Sequence, residues 1–133
     1  IGESLDRLDA VLITHEHTDH VCGLPALARS LQGPVYLSEG TAAALVWERH
    51  QPSLHCFPAG APLSIGDFHI QSFSLPHDGA DPVGYALQAE GVKIGIATDL
   101  GYVPESLHIH LRGTHFLLLE ANHDLDMLKV GPY

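Results

Sequence analysis

The sequence has little cysteine, little positive charge and no long apolar run. Two cysteines, Cys22 and Cys56, in 133 residues cannot build a disulfide framework, and they are not spaced as C-x-x-C. They fit a reducing compartment, so the expected location is cytoplasmic. Six Lys+Arg stand against 16 Asp+Glu, a formal charge of −10. That balance excludes a broad basic face for nucleic acid within this stretch. No apolar run approaches the roughly 20 residues of a bilayer-spanning helix, so no membrane contact is expected. No signal peptide opens the chain. Residue 1 is Ile, and Tyr133 follows Gly131-Pro132 without a closing pattern, so the chain reads as a piece whose ends lie elsewhere. Repeats, low-complexity segments and linkers are absent too. What is present, 45% hydrophobic and 17% charged residues, is the balance of a globular chain. Its length suits one domain spanning 1–133. Nothing in it bears on oligomeric state.

Hydrophobic patterning predicts alternating strands and helices. Asp9–Thr14 reads as a strand buried on both faces. A helix is expected from Gly23-Leu24-Pro25 to about Leu31, with Pro25 in its first turn. Val35–Leu37 reads as the next strand, and Thr41 as the N-cap of a helix reaching about Arg49. Strand, helix, strand, helix argues for an α/β layered architecture. Phe68–Ser74 alternates apolar and polar residues, with a slip near Ser72. Val83–Ala89 and Val92–Ala97 read as a hairpin turning at Glu90-Gly91. A helix over Pro104–Leu111 and a buried strand over Phe116–Leu119 complete a mixed-sheet unit.

Eleven histidines are far more than a chain of this length ordinarily carries. Three of them crowd into Thr14-His15-Glu16-His17-Thr18-Asp19-His20, where a buried strand ends. Strand ends of α/β sheets are where ligand sites are built. Spaced two apart, His15 and His17 can converge on one point, and Asp19 with His20 can turn toward a second. Imidazole plus carboxylate suits Zn²⁺, with Mn²⁺ or Fe²⁺ as alternatives. The plainer reading is a solvated polar loop, which four potential ligands at this spacing after a buried strand argue against.

His15-x-His17-x-Asp19-His20 resembles the H-x-H-x-D-H motif of the metallo-β-lactamase fold hydrolases. The resemblance implies a mixed-sheet αββα sandwich, incomplete here at both ends. It implies two ions, with His15, His17, His77 and Asp99 at metal one and Asp19, His20 and Asp99 at metal two. His77 matches through Ser74-Leu75-Pro76-His77-Asp78, and the bridging Asp99 through Ile96-Ala97-Thr98-Asp99. Pro82–Leu87, Ala97–Tyr102 and Glu120-Ala121-Asn122-His123-Asp124 look like the YycJ (WalJ) branch, within which DNA exonuclease action is assigned.

The implied function is a metal-dependent hydrolase: a phosphodiesterase or nuclease whose metal-bound hydroxide attacks phosphorus, the two metals lying about 3.5–4 Å apart. An ester, thioester or lactam hydrolase on the same fold, or a catalytically inactive metal-binding fragment, are the alternatives. The expected partner is nucleic acid or another phosphodiester. The expected catalytic residues are Asp19, Asp99, Glu120 and His123, with Glu120 holding an acid-donating histidine and His123 contacting phosphate. Without the resemblance, Glu120, Asn122 and His123 read as polar caps around a short helix at Asp124. Asp78 either orients His77 or faces solvent. Glu16 reads as a solvent-facing carboxylate, with holding a ligand imidazole as the other role open to it. Cys22 is expected as a small apolar filler, and Trp47 and Phe57 as packing residues. His50, His55, His69, His108, His110 and His115 show no ligand pattern and are expected to be surface or structural.

Overall fold

The computed structural model describes residues 7–47 and 51–120. The strands form two sheets. The first is all parallel, in the order β1 (Val11–Leu12), β2 (Val35–Ser38), β3 (Leu54–Phe57). The second runs β4 (Pro62–Ile65), β5 (Phe68–Ser74), β6 (Val83–Ala89), β7 (Val92–Ala97), β8 (Phe116–Leu119). It is antiparallel except between β7 and β8. Among the described residues four short helices connect strands: α1 (Thr18–Val21), α2 (Leu24–Leu27), α3 (Glu39–Ala44) and α4 (Glu105–Leu111). Among the described residues no helix is long and apolar enough to cross a membrane.

Three apolar clusters define four layers. Ile13, Leu24, Val35 and Leu37, with Val21, Leu31, Ala42 and Trp47 against them, join the first sheet to its helices. Phe57, Ile70, Val83 and Tyr85, with Leu12, Tyr36, Leu63 and Leu87, lie between the sheets. Phe73, Leu75, Ala86, Ala97 and Leu107, with Leu100 and Leu111, join the second sheet to α4. Successive side chains on a strand point to opposite faces. On β2, Val35 and Leu37 therefore enter one cluster and Tyr36 another. On β6, Val83, Tyr85 and Leu87 face the other sheet, while Ala86 faces α4. The slip at Ser72 has the same origin. Ile70 and Phe73 are both buried, but on opposite faces, and buried Ser72 is satisfied by Gly60 N–H and the Ala61 carbonyl.

The layered α/β class, β5, the hairpin and α4 match the expected pattern. The hairpin turns where Glu90 and Gly91 take left-handed φ of 50° and 77°. Other expectations need correction. The first strand is Val11–Leu12, since the chain beyond it turns toward the second sheet. Ser38, not Thr41, caps α3. Thr41 lies inside the helix and donates its N–H to Ser38 Oγ, and the helix stops at Ala44 because Leu45 is extended. The helix expected from Gly23 to about Leu31 shortens to Leu24–Leu27. Phe116–Leu119 is a strand, but at the end of its sheet and exposed rather than buried. Cys22 is exposed and fills nothing, whereas Phe57 is buried and Trp47 packs against the first cluster.

Candidate metal centre

The site lies where both sheets meet. Ile13 N–H still donates to the Tyr36 carbonyl of β2 at 2.9 Å, but the Ile13 carbonyl accepts from the Tyr85 hydroxyl of β6. One residue on, the Thr14 carbonyl accepts from Val83 N–H at 2.9 Å. The backbone thus passes from one sheet to the other just before His15, which is 1% exposed. His17 is extended at φ −60°, ψ 145° and heads α1, whose single turn carries Asp19 and His20.

Three imidazoles from distant parts of the chain converge. The ring centroids of His15 and His17 are 4.6 Å apart, those of His15 and His77 4.8 Å, and those of His17 and His77 4.9 Å. His77 Nε2 faces His17 Nδ1 at 3.2 Å. Two nitrogens on one tetrahedral Zn²⁺ would stand about 3.3 Å apart, given Zn–N bonds of about 2.0–2.1 Å. A second group joins His15, His20 and Asp99. His20 Nε2 is 3.1 Å from Asp99 Oδ2 and 3.6 Å from Asp19 Oδ2. His15 is therefore the residue common to both groups, where the resemblance gives that place to Asp99. Asp19 belongs to neither group, and its side chain is 78% exposed.

The rings are oriented from behind. Thr14 Oγ1 lies 3.1 Å from His15 Nδ1 and 3.3 Å from His20 Nδ1. With its two lone pairs the hydroxyl can accept from both rings, leaving both Nε2 atoms free as ligands. Asp78 Oδ1 lies 3.0 Å from His77 Nδ1 and does the same for that ring. His15 Nε2 is buried with no hydrogen-bond partner. Such an atom costs about 1–3 kcal/mol if left unmade; a cation would satisfy it. Burial first, then the nearby rings of His20 and His77, hold His15 below the ordinary histidine pKa. It is neutral at pH 7, the state that can ligate. The residues present therefore fit a divalent cation.

Asp99 follows β7 with φ of 59°, a left-handed conformation that aspartate tolerates better than most residues. Its loop is pinned on both sides. Gly101 N–H donates to the Pro76 carbonyl at 2.7 Å, so close that a Cβ on Gly101 would meet that oxygen at 2.9 Å. The Glu120 carboxylate accepts from Leu100 N–H. His123, with Asn122, Asp124 and His50, lies outside the described residues.

The remaining histidines sit apart from the centre. His55 stacks on Tyr36 at 4.6 Å, His110 on Phe73 at 4.7 Å, and His115 Nδ1 accepts from Lys93 N–H. Glu16 departs from expectation: it is half-buried, and its Oε1 accepts from Ala80 N–H at 2.6 Å. Thr14 and Tyr85 also serve the site, though no sequence pattern assigns them to it. Their adjacency to the motif was a weak signal for Thr14, and only the three-dimensional structure brings Tyr85 there.

Residues 1–131 match the family described as the beta-lactamase superfamily domain. The chain is 35% identical over 133 residues to exodeoxyribonuclease YycJ of Bacillus anthracis, covering 98% of this chain and 50% of that one. It is 33% identical over 138 residues to exodeoxyribonuclease WalJ of Streptococcus pneumoniae serotype 2 (strain D39 / NCTC 7466), covering 100% of this chain and 51% of that one. The chain spans about half the length of these curated relatives. Zn²⁺-bound PqqB from Methylobacterium extorquens shares the fold at a TM-score of 0.73 and 23% identity, over 92% of this chain and 49% of that one. Four layers, histidines converging from both sheets and a family match over nearly every residue agree: the chain belongs to the beta-lactamase superfamily, with the metallo-β-lactamase fold, and is similar within it to the YycJ and WalJ proteins.

Proposed function

We propose that the whole protein is a metal-dependent phosphodiesterase acting on DNA as an exonuclease, and that this chain carries its metal centre. The observation that carries the reading is the convergence of His15, His17 and His77, with the unpartnered His15 Nε2 among them. In this reading His15 Nε2, His17 Nδ1 and His77 Nε2 hold one ion. His20 and Asp99 hold a second, with Asp19 within reach of it. Zn²⁺ suits the donor set best, and Mn²⁺ or Fe²⁺ suits the carboxylate-bearing second position. Bound there, a divalent ion supplies Lewis acidity, making water nucleophilic at neutral pH and drawing charge from phosphoryl oxygens.

The protein's own part is orientation. Thr14 and Asp78 keep the ligating rings turned inward. Glu120 steadies the Asp99 loop through Leu100 N–H, a role in place of direct action on substrate. His123 is proposed as a phosphate contact. The charge of −10 on this chain repels a polyanion at long range; bound cations would offset part of it, and basic residues elsewhere in the whole protein could supply the rest.

Metal-loaded protein should hydrolyse bis-p-nitrophenyl phosphate and shorten DNA from an end, and leave a thioester and a cephalosporin intact. Ester or lactam turnover without phosphodiester turnover would overturn the nuclease reading. Metal content after dialysis, measured by mass spectrometry, should vanish in the His15→Ala, His17→Ala double variant; unchanged content would overturn the site assignment.

A further inference from the structure

We propose that Glu16 is a positioning residue that clamps the loop carrying His77 against the turn carrying His15 and His17. The inference rests on the metal-centre reading above. Glu16 stands between two of the converging histidines, and Ala80, whose N–H it accepts at 2.6 Å, lies three residues beyond the third. The bond spans 64 residues of sequence.

The loop has other anchors, each at a different point. Buried Ser38 and Thr41 both donate to the Asp81 carbonyl, at 2.7 and 3.4 Å. Leu75 N–H donates to the Pro82 carbonyl and closes the base of the loop. Val83 N–H meets the Thr14 carbonyl where β6 begins. These fix where the loop leaves and re-enters the sheets. The Glu16 bond ties its middle, next to His77, to the metal-site turn. At Gly79 the loop passes so near that a Cβ would sit 3.5 Å from Glu16 Oε1 and 2.7 Å from Pro82 Cγ.

The other carboxylate oxygen, Glu16 Oε2, is buried without a partner. A carboxylate half withdrawn from water is unfavourable unless the bond it makes is valuable to the fold. What this bond fixes is the approach of His77 Nε2 to His17 Nδ1. Partners that orient metal ligands typically change metal affinity 10–100-fold when removed.

The test is a titration of the chain with Zn²⁺ against a chromophoric chelator, and with Co²⁺, whose visible bands report ligand geometry. Glu16→Ala should weaken Zn²⁺ binding about 10–100-fold and alter the Co²⁺ bands. Glu16→Gln, which keeps an oxygen to accept from Ala80 N–H, should restore wild-type behaviour. In a His77→Ala background Glu16→Ala should have no further effect, because the residue acts through His77. Should Glu16→Ala not fold, Ala80→Pro, which removes the donor and leaves the carboxylate, should reproduce the loss. Wild-type affinity in Glu16→Ala, or an equal loss with and without His77, would overturn this inference alone. A wild-type chain that takes up neither ion would overturn the metal-centre reading and this inference with it.

Discussion

Tyr85→Phe removes one oxygen atom from between the sheets. That hydroxyl is the donor to the Ile13 carbonyl, two residues before His15, and the side chain is 1% exposed. Without it a buried carbonyl loses its partner, at about 1–3 kcal/mol. The loss should depend on pH, and the sign follows from the hydroxyl's environment. Burial raises the Tyr85 pKa above its ordinary value, so the folded state keeps the proton through a range in which the unfolded chain has lost it. Its contribution is fully present below about pH 10 and fades above it, by about 1.4 kcal/mol per pH unit once the unfolded tyrosine is ionised. At pH 11 wild type should already have lost about 1.4 kcal/mol that Tyr85→Phe does not lose. Urea denaturation from pH 8 to 11.5 should therefore show wild type the more stable at pH 8, with the two curves converging near pH 11. Stability curves that run parallel over this range would refute the argument, since they would mean that the hydroxyl ionises as freely folded as unfolded.

Three further outcomes are expected. Thr14→Val should lower Zn²⁺ affinity about 10–100-fold by freeing the rings of His15 and His20, with Thr14→Ser close to wild type in the same chelator competition. Gly84→Ala should cost about 1–3 kcal/mol in a urea melt, because its Cβ would lie 2.5 Å from Cε2 of the Phe73 ring and 2.7 Å from the Ile96 carbonyl oxygen. Asp99→Asn should leave the circular dichroism spectrum intact, since asparagine also tolerates a φ of 59°. In the complete protein it should reduce phosphodiesterase turnover by orders of magnitude, and wild-type rates would exclude a role for Asp99 at the metals.

The hairpin, β5 and α4 were legible because their patterns are local: alternation at period two, a Glu-Gly turn, a proline ahead of a helix. The histidine spacing after a strand was legible for the same reason. Phe116–Leu119 reads as buried by sequence because a short apolar run looks alike in a central strand and at a sheet's end. Ile70 and Phe73 looked like a broken pattern because single-face alternation is the wrong template for a strand buried on both sides by different layers. At the site, the ligand types were visible and their supports were not. By sequence Asp78 is open between orienting His77 and facing solvent, and Glu16 reads as solvent-facing; only the folded chain brings Ala80 to Glu16 and turns the ring of His77 to Asp78. Thr14, holding two rings with one oxygen, leaves no periodic trace.

The histidine triad takes two members from a turn leaving the parallel sheet and the third from a loop of the antiparallel one. Close-packed interiors transmit small displacements rather than absorb them. A slip of one layer over the other, too slight to register in a melting curve, would still pull a ring nitrogen out of bonding range. The triad thus behaves as a vernier for the alignment of the layers, and conservative changes at Phe57 and Ile70, between the sheets, should be read out first as altered cation affinity.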